Sequence, residues 1–217
     1  MLPLSDGIPA RRFPIVNVFL IVANFAVRIF YELPQQRLPR AGGVEPQLDH
    51  CHVSAWWLGS HPGQHAVPGD LRKNVEDAFG SLLYLVFYFA GGFAAMMTQT
   101  AMTLLFGTAA EARVPELGAS GAITAVLGAY FVLYPGSRIR TWIFPIFLVR
   151  IPAWIFLGLW FLYQLIEASF GLFSASASGG GVAFFAHVGG FIFGLLVARL
   201  LARAGQAAPG ERWRSTA

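Results

Sequence analysis

Charge is scarce in this sequence. Only 12% of its 217 residues are charged, against 56% hydrophobic. Soluble domains carry about 25% charged residues, so an ordinary solvated surface around one core is excluded. Cysteine occurs once, at Cys51. That excludes an intrachain disulfide and offers no cysteine-based metal cluster. Basic charge is in slight excess, with a formal net charge of +4. The arginines sit at the ends of apolar runs rather than on one face, so nucleic acid is not an expected partner. No small-residue cleavage site follows the apolar stretch behind Arg11 and Arg12, so a cleavable signal is not expected. No internal repeat is present.

Long apolar runs are what the chain has instead. Several approach the ~20 residues that a membrane-spanning helix needs. The first runs from Pro14 to Leu33 and contains Arg28. A polar stretch rich in His, Gly and Pro follows, from Pro34 to Gly80. The next runs cover Ser81–Met102, Ser120 to about Tyr134, about Pro152 to Ala168, and Ala183–Ala202. Between the third and fourth lie "PGSRIR" and an aromatic stretch from Phe144 to Val149. The expected organisation is a cytoplasmic N-terminal segment (1–13), one polytopic membrane domain (14–202, irregular over 35–72) and a cytoplasmic polar tail (203–217).

Basic residues cluster at Arg11/Arg12, Arg72/Lys73, Arg138/Arg140/Arg150 and Arg199/Arg203/Arg212/Arg214. The positive-inside rule assigns all four clusters to the cytoplasmic side, with both termini cytoplasmic in a cell-membrane protein. Parity then fails. One span separates the first two clusters, and one span cannot begin and end on the same side. A second crossing is required between Leu33 and Lys73, and the residues there cannot supply it.

Depth draws two residues together. From Ser120 to Tyr134 a helix rises about 22 Å, less than the ~30 Å hydrocarbon core. With Pro135 at the cytoplasmic surface, Ser120 lies roughly 8 Å below the outer one. His187 in the last span reaches roughly 6 Å from the same side. A serine hydroxyl becomes a nucleophile beside a base, and histidine is the usual base. A helix start adds unpaired N–H groups suited to an oxyanion. Gly118 and Gly121 remove side chains that would block close approach there. Gly190 and Gly194 form a small-xxx-small face for tight helix packing.

Other readings stay open from the residues alone. Gly-x-Ser-Gly also serves packing. A histidine in a span also serves as a structural hydrogen bonder, a metal ligand or a proton relay, the last implying a transporter. Matched depth favours catalysis. Glu167 and Arg28 read as helix-contact residues. His50, His52, His61 and His65 follow no helix face, so a metal site is not expected there.

On "GASGAI" (118–123) and "AHVGGFIFG" (186–194) the chain resembles the rhomboid intramembrane serine proteases. The resemblance extends from the N-terminus to about Leu33 and from Lys73 to about Ala202. It implies an all-α, polytopic bundle with a six-helix core. It also implies a Ser–His dyad, with Ser120 as nucleophile and His187 as general base, and backbone support for the oxyanion at Gly118 and Gly121. The substrates implied are transmembrane segments of other membrane proteins, cut within the lipid bilayer, with no cofactor and no metal. Two departures stand out. Many relatives carry glycine at the position of Ala125. Relatives also carry a second helix with His-Gly-x-Trp followed by Asn-Met, which supplies side chains to the oxyanion site. No residue here fills those roles.

Codon arithmetic offers a reason. Back-translation of residues 48–72, "LDHCHVSAWWLGSHPGQHAVPGDLR", read one base later, permits "WITATFQHGGWEAILGNMLFLAIFG". This contains His-Gly-x-Trp, Asn-Met and an apolar helix in the family's order. The wobble base becomes the middle base, so the apolar character is partly chosen. The first and third bases are largely set. The stretch is therefore expected to be a shifted-frame reading, entered after Pro34 and left near Arg72. As written, residues 35–72 are expected to form no membrane span. Two function classes follow: an intramembrane serine endopeptidase, or a proteolytically inactive relative that binds membrane helices.

Overall fold

The computed structural model describes residues 2–8, 13–27, 69–107, 119–143, 147–173 and 184–204. Six helices stand among them: α1 (Ile15–Val27), α2 (Gly69–Phe79), α3 (Ser81–Phe106), α4 (Ser120–Leu133), α5 (Ala153–Phe173) and α6 (Phe184–Arg203). Three short strands, β1 (Leu2–Ser5), β2 (Arg138–Ile143) and β3 (Phe147–Pro152), form one antiparallel sheet in the order β1-β2-β3. The architecture is a helical membrane bundle with a small sheet at one end. The expected second crossing, the histidines at 50, 52, 61 and 65, Arg28 and Cys51 lie outside the described residues. Of the stretch 35–72, only 69–72 is described, as the first turn of α2.

Helices α3 and α6 are each long and apolar enough to cross a membrane. α3 is apolar on both faces. Its buried face carries Tyr84, Phe87, Tyr88, Gly91 and Ala95. Its opposite face exposes Leu82, Val86, Phe89, Phe93 and Met97. A helix that exposes large apolar side chains along its length is suited to lipid rather than water. α2 is different in kind. It is polar, and its sequence "GDLRKNVEDAF" places it at the end of the bundle rather than across it.

The helices at the centre meet through small residues. A Cβ built on Gly194 would run into the Ala125 carbonyl. One on Gly190 would meet the Gly121 carbonyl and the Thr124 hydroxyl, and one on Gly128 the Phe191 carbonyl. These contacts advance together along both chains, so α4 and α6 run parallel. Gly91 faces Ala125, Gly92 faces Ala122 and Ala95 faces Gly121, so α3 runs antiparallel to α4. Close backbone approach of this kind is how helices associate where lipid removes the hydrophobic drive.

The sheet end is held by buried polar groups. Asp6 accepts hydrogen bonds from Asn74 Nδ2 of α2 (2.5 Å), the Tyr130 hydroxyl of α4 (2.6 Å) and the Ile8 N–H (3.0 Å). Glu76 accepts from the Val16 and Asn17 N–H groups at the start of α1 (3.1 and 2.9 Å) and from the Ser81 hydroxyl (2.9 Å). One carboxylate thus caps α1 and ties it to the α2–α3 turn. The sheet adds a feature that apolar patterning did not reveal. β2 and β3 pair from Arg138↔Pro152 to Ile143↔Phe147, and β1 pairs Ser5 with Arg140. Its signal is alternation: Arg138 and Arg140 are exposed while Ile139 and Thr141 are buried.

Lys73, Arg138, Arg140 and Arg150 sit at this sheet end. So do Arg199 and Arg203, because α6 runs parallel to α4. The described members of the basic clusters therefore share one end of the bundle, opposite the starts of α4 and α6.

Candidate active site

At the far end from the sheet, α4 and α6 begin side by side. Ser120 is the first residue of α4 and is half-buried. Ala119 precedes it as a non-helical cap, and Ile123 N–H already reaches the Ala119 carbonyl at 3.0 Å. Among the described residues, the N–H groups of Ser120, Gly121 and Ala122 thus come before the first helical hydrogen bond of α4. They form the positive end of the α4 dipole. Gly118 lies outside the described residues. Gly121 is buried, and a Cβ there would press on Ala95 Cβ at 2.5 Å.

His187 lies in the first turn of α6 and is 1% exposed. Its chain neighbour Ala186 stands across the seam from Gly121. A Cβ on Gly121 would lie 3.8 Å from the Ala186 carbonyl oxygen and 3.9 Å from the Ala186 Cβ. Ser120 and His187 are thus each one residue from a pair that face each other across α4 and α6. Gly190 and Gly194 lie further along the same seam.

Side chains of α3 and α5 pack around the first turn of α6. Gln99 of α3 accepts the Ala186 N–H through Oε1 at 3.1 Å. That bond satisfies one of the free donors at the start of α6 and fixes where the helix begins. Gln164 of α5 is 2% exposed, and its Oε1 lies 3.2 Å from His187 Nδ1. Trp160, one turn earlier on α5, lays its ring beside the imidazole, with centroids 6.1 Å apart and planes inclined at 38°. Thr98 of α3 packs where a Cβ on Gly189 would stand.

These neighbours escaped sequence reasoning. Gln164 and Gln99 are polar residues inside apolar runs, which is the signal that could have singled them out. Gly91 and Gly92, adjacent helix-weakening residues within the run from Ser81, offered a second such signal. Glu167 is half-buried on α5, three residues beyond Gln164.

The arrangement has the parts that acyl transfer to a serine requires. A hydroxyl stands at a helix start, the first N–H groups of that helix lie beside it, and a buried imidazole lies in the first turn of the neighbouring parallel helix. No group of histidine, cysteine, aspartate and glutamate that could hold a metal occurs among the described residues.

The family model described as the Rhomboid domain matches residues 71–204. The match begins where the anomalous stretch ends and takes in α2 through α6, more than half of the chain. A search of curated proteins and one of solved structures found no match. This family acts on membrane proteins in the bilayer and its members are generally serine proteases. By the Rhomboid-domain match and the helical membrane bundle that carries it, the chain belongs to the rhomboid family.

Proposed function

We propose that the chain is built as an intramembrane serine endopeptidase in which Ser120 is the nucleophile and His187 the general base. The observation that supports this best is the α4–α6 seam. Gly121 faces Ala186 across it, which supports a shared level for the residues beside them at the starts of two parallel helices. The Ser120 hydroxyl attacks the scissile carbonyl of a transmembrane segment and its proton passes to the imidazole. The carbonyl oxygen becomes an oxyanion. The N–H groups at the start of α4, with Gly121 and Gly118 leaving room for close approach, stabilise it. The intermediate collapses, His187 returns the proton to the leaving amine, and an acyl-serine remains. Water, deprotonated by the same imidazole, then hydrolyses the ester. No metal or cofactor enters this chemistry.

The substrates are transmembrane segments of other membrane proteins, met in the plane of a cell membrane. The positive-inside rule gives the basic sheet end to the cytoplasm. The dyad then opens toward the outer face. Cleavage of a single-span substrate in proteoliposomes tests the assignment in a chain carrying the shifted reading of residues 48–72. Ser120→Ala and His187→Ala are each expected to abolish cleavage, because nucleophile and base act as one unit. Cleavage by either variant near the unmutated rate would overturn these roles.

One observation favours a second reading for the chain as written. The family's His-Gly-x-Trp and Asn-Met residues, which complete the oxyanion site, are missing from its sequence. A rhomboid-like protein without them binds membrane helices without cutting them. Capture of the single-span substrate in nanodiscs, with no product formed, is the result that this reading expects.

A further inference from the structure

We infer that Gln164 is a positioning residue for His187: its side-chain oxygen accepts the Nδ1–H, holding the imidazole in the tautomer whose Nε2 carries no proton. The inference rests on the Ser120–His187 reading and adds a third side chain, from α5, to it.

Buried imidazoles take the tautomer that their hydrogen-bond partner imposes. Nδ1 lies 3.2 Å from Gln164 Oε1, and both side chains are almost wholly buried. A carboxamide oxygen only accepts, so the ring nitrogen facing it must carry the proton. Nε2 then has no proton and can take one from a hydroxyl, as a general base requires. The orientation is held from a second direction. Trp160 lies one turn before Gln164 on the same face of α5, with its ring beside the imidazole. Turning the imidazole would break the Gln164 bond and drive the ring against the indole. The same two residues therefore set both tautomer and ring plane. The logic is that of a triad, with an uncharged amide in place of a carboxylate. A neutral partner suits this depth, because a buried carboxylate would cost more to desolvate.

The orientation of the amide is open to direct measurement, since oxygen and nitrogen of the group exchange places on a half-turn. The full-length chain, labelled with 15N-histidine and reconstituted in nanodiscs, is examined by NMR at neutral to mildly alkaline pH. His187 is assigned by difference from His187→Ala. The expected result is a protonated Nδ1 and an unprotonated Nε2. Gln164→Glu, whose carboxylate accepts as the amide oxygen does, is expected to keep that pattern. Gln164→Leu, similar in size and without an acceptor, is expected to lose it. A wild-type spectrum with the proton on Nε2 overturns the inference before any variant is made. An unchanged tautomer in Gln164→Leu also overturns it.

A fluorophosphonate that labels reactive serines separates this inference from the reading beneath it. Where Ser120 is labelled, Gln164→Leu is expected to slow labelling on the order of 10- to 100-fold, part of the ~10²–10⁴ that a positioned base contributes. Gln164→Glu is expected to restore labelling. Equal rates in wild type and Gln164→Leu overturn the positioning role. A wild-type chain with the expected tautomer and no labelling at Ser120 supports Gln164's hold on the ring and counts against the nucleophile.

Discussion

At the scale of single residues, the buried polar groups fall into two kinds. One kind is matched. Asp6 gathers Asn74, Tyr130 and the Ile8 N–H, and Glu76 gathers two N–H groups and a hydroxyl. Arg72 is of the other kind. Its Nε is buried with no hydrogen-bond partner among the described residues. Burial lowers its guanidinium below the usual arginine range. In the shifted reading, position 72 is glycine, so a long charged side chain would not stand there. An unsatisfied buried donor costs about 1–3 kcal/mol. Arg72→Ala is therefore expected to raise stability by about 1 kcal/mol, allowing for partial solvation of the group. The check is thermal unfolding of both chains in one detergent, where a lower midpoint for Arg72→Ala would show the guanidinium to be stabilising. The opposite outcome is expected at Asp6. Asp6→Ala strips the acceptor from Asn74 and Tyr130 and should cost roughly 2–4 kcal/mol, visible as a lower midpoint in the same assay.

At the scale of the element, backbone contact explains why α4 and α6 tolerate almost no side chain between them. In Gly194→Ala the new methyl would meet the carbonyl oxygen of Ala125, its carbonyl carbon (2.6 Å) and its Cα (2.9 Å). Backbone atoms cannot rotate aside, so the helices must part. The expected loss is about 1–3 kcal/mol, together with displacement of His187 relative to Ser120. Gly158 of α5 is the control. A Cβ there meets nothing closer than a Phe131 ring atom at 4.0 Å. Gly158→Ala is expected to be neutral or to stabilise by up to about 1 kcal/mol, the difference in helix propensity. Equal effects of the two substitutions on the unfolding midpoint would show that the seam is not backbone-limited.

At the scale of the whole molecule, the stretch before residue 72 carries the prediction. The Rhomboid-domain match opens at residue 71, one residue before the shifted stretch ends. The sequence as written lacks the His-Gly-x-Trp and Asn-Met residues that, by the family resemblance, supply side-chain donors to the oxyanion. Removal of one such donor costs about 10²–10³ in rate. Replacing residues 48–72 by the shifted reading is therefore expected to raise cleavage of a single-span substrate by at least that factor. Expression of both chains in one membrane, with the same substrate, measures it. Equal activity would show that the second helix is dispensable and that the frame-shift reading of this segment is wrong.

Hydrophobic patterning within the sequence was enough to locate the apolar helices. The runs beginning at Ser81, Ser120, Pro152 and Ala183 lie within a residue of helix starts, because burial in lipid is a property of each run by itself. Residue chemistry singled out Ser120 and His187 for the same local reason: a hydroxyl and an imidazole are conspicuous in apolar surroundings. Gly190 and Gly194 were legible as a packing face from their spacing. What they pack against was not legible. Only the tertiary structure decided that Gly194 rests on the Ala125 carbonyl, that Gln99 caps α6, and that Gln164 and Trp160 of α5 bracket the imidazole. The sheet, too, depends on pairing between residues far apart, with Ser5 beside Arg140. Periodicity within one helix records which face is apolar. The choice of partner for that face is made by backbone shape across the seam, and this depends on all the helices at once.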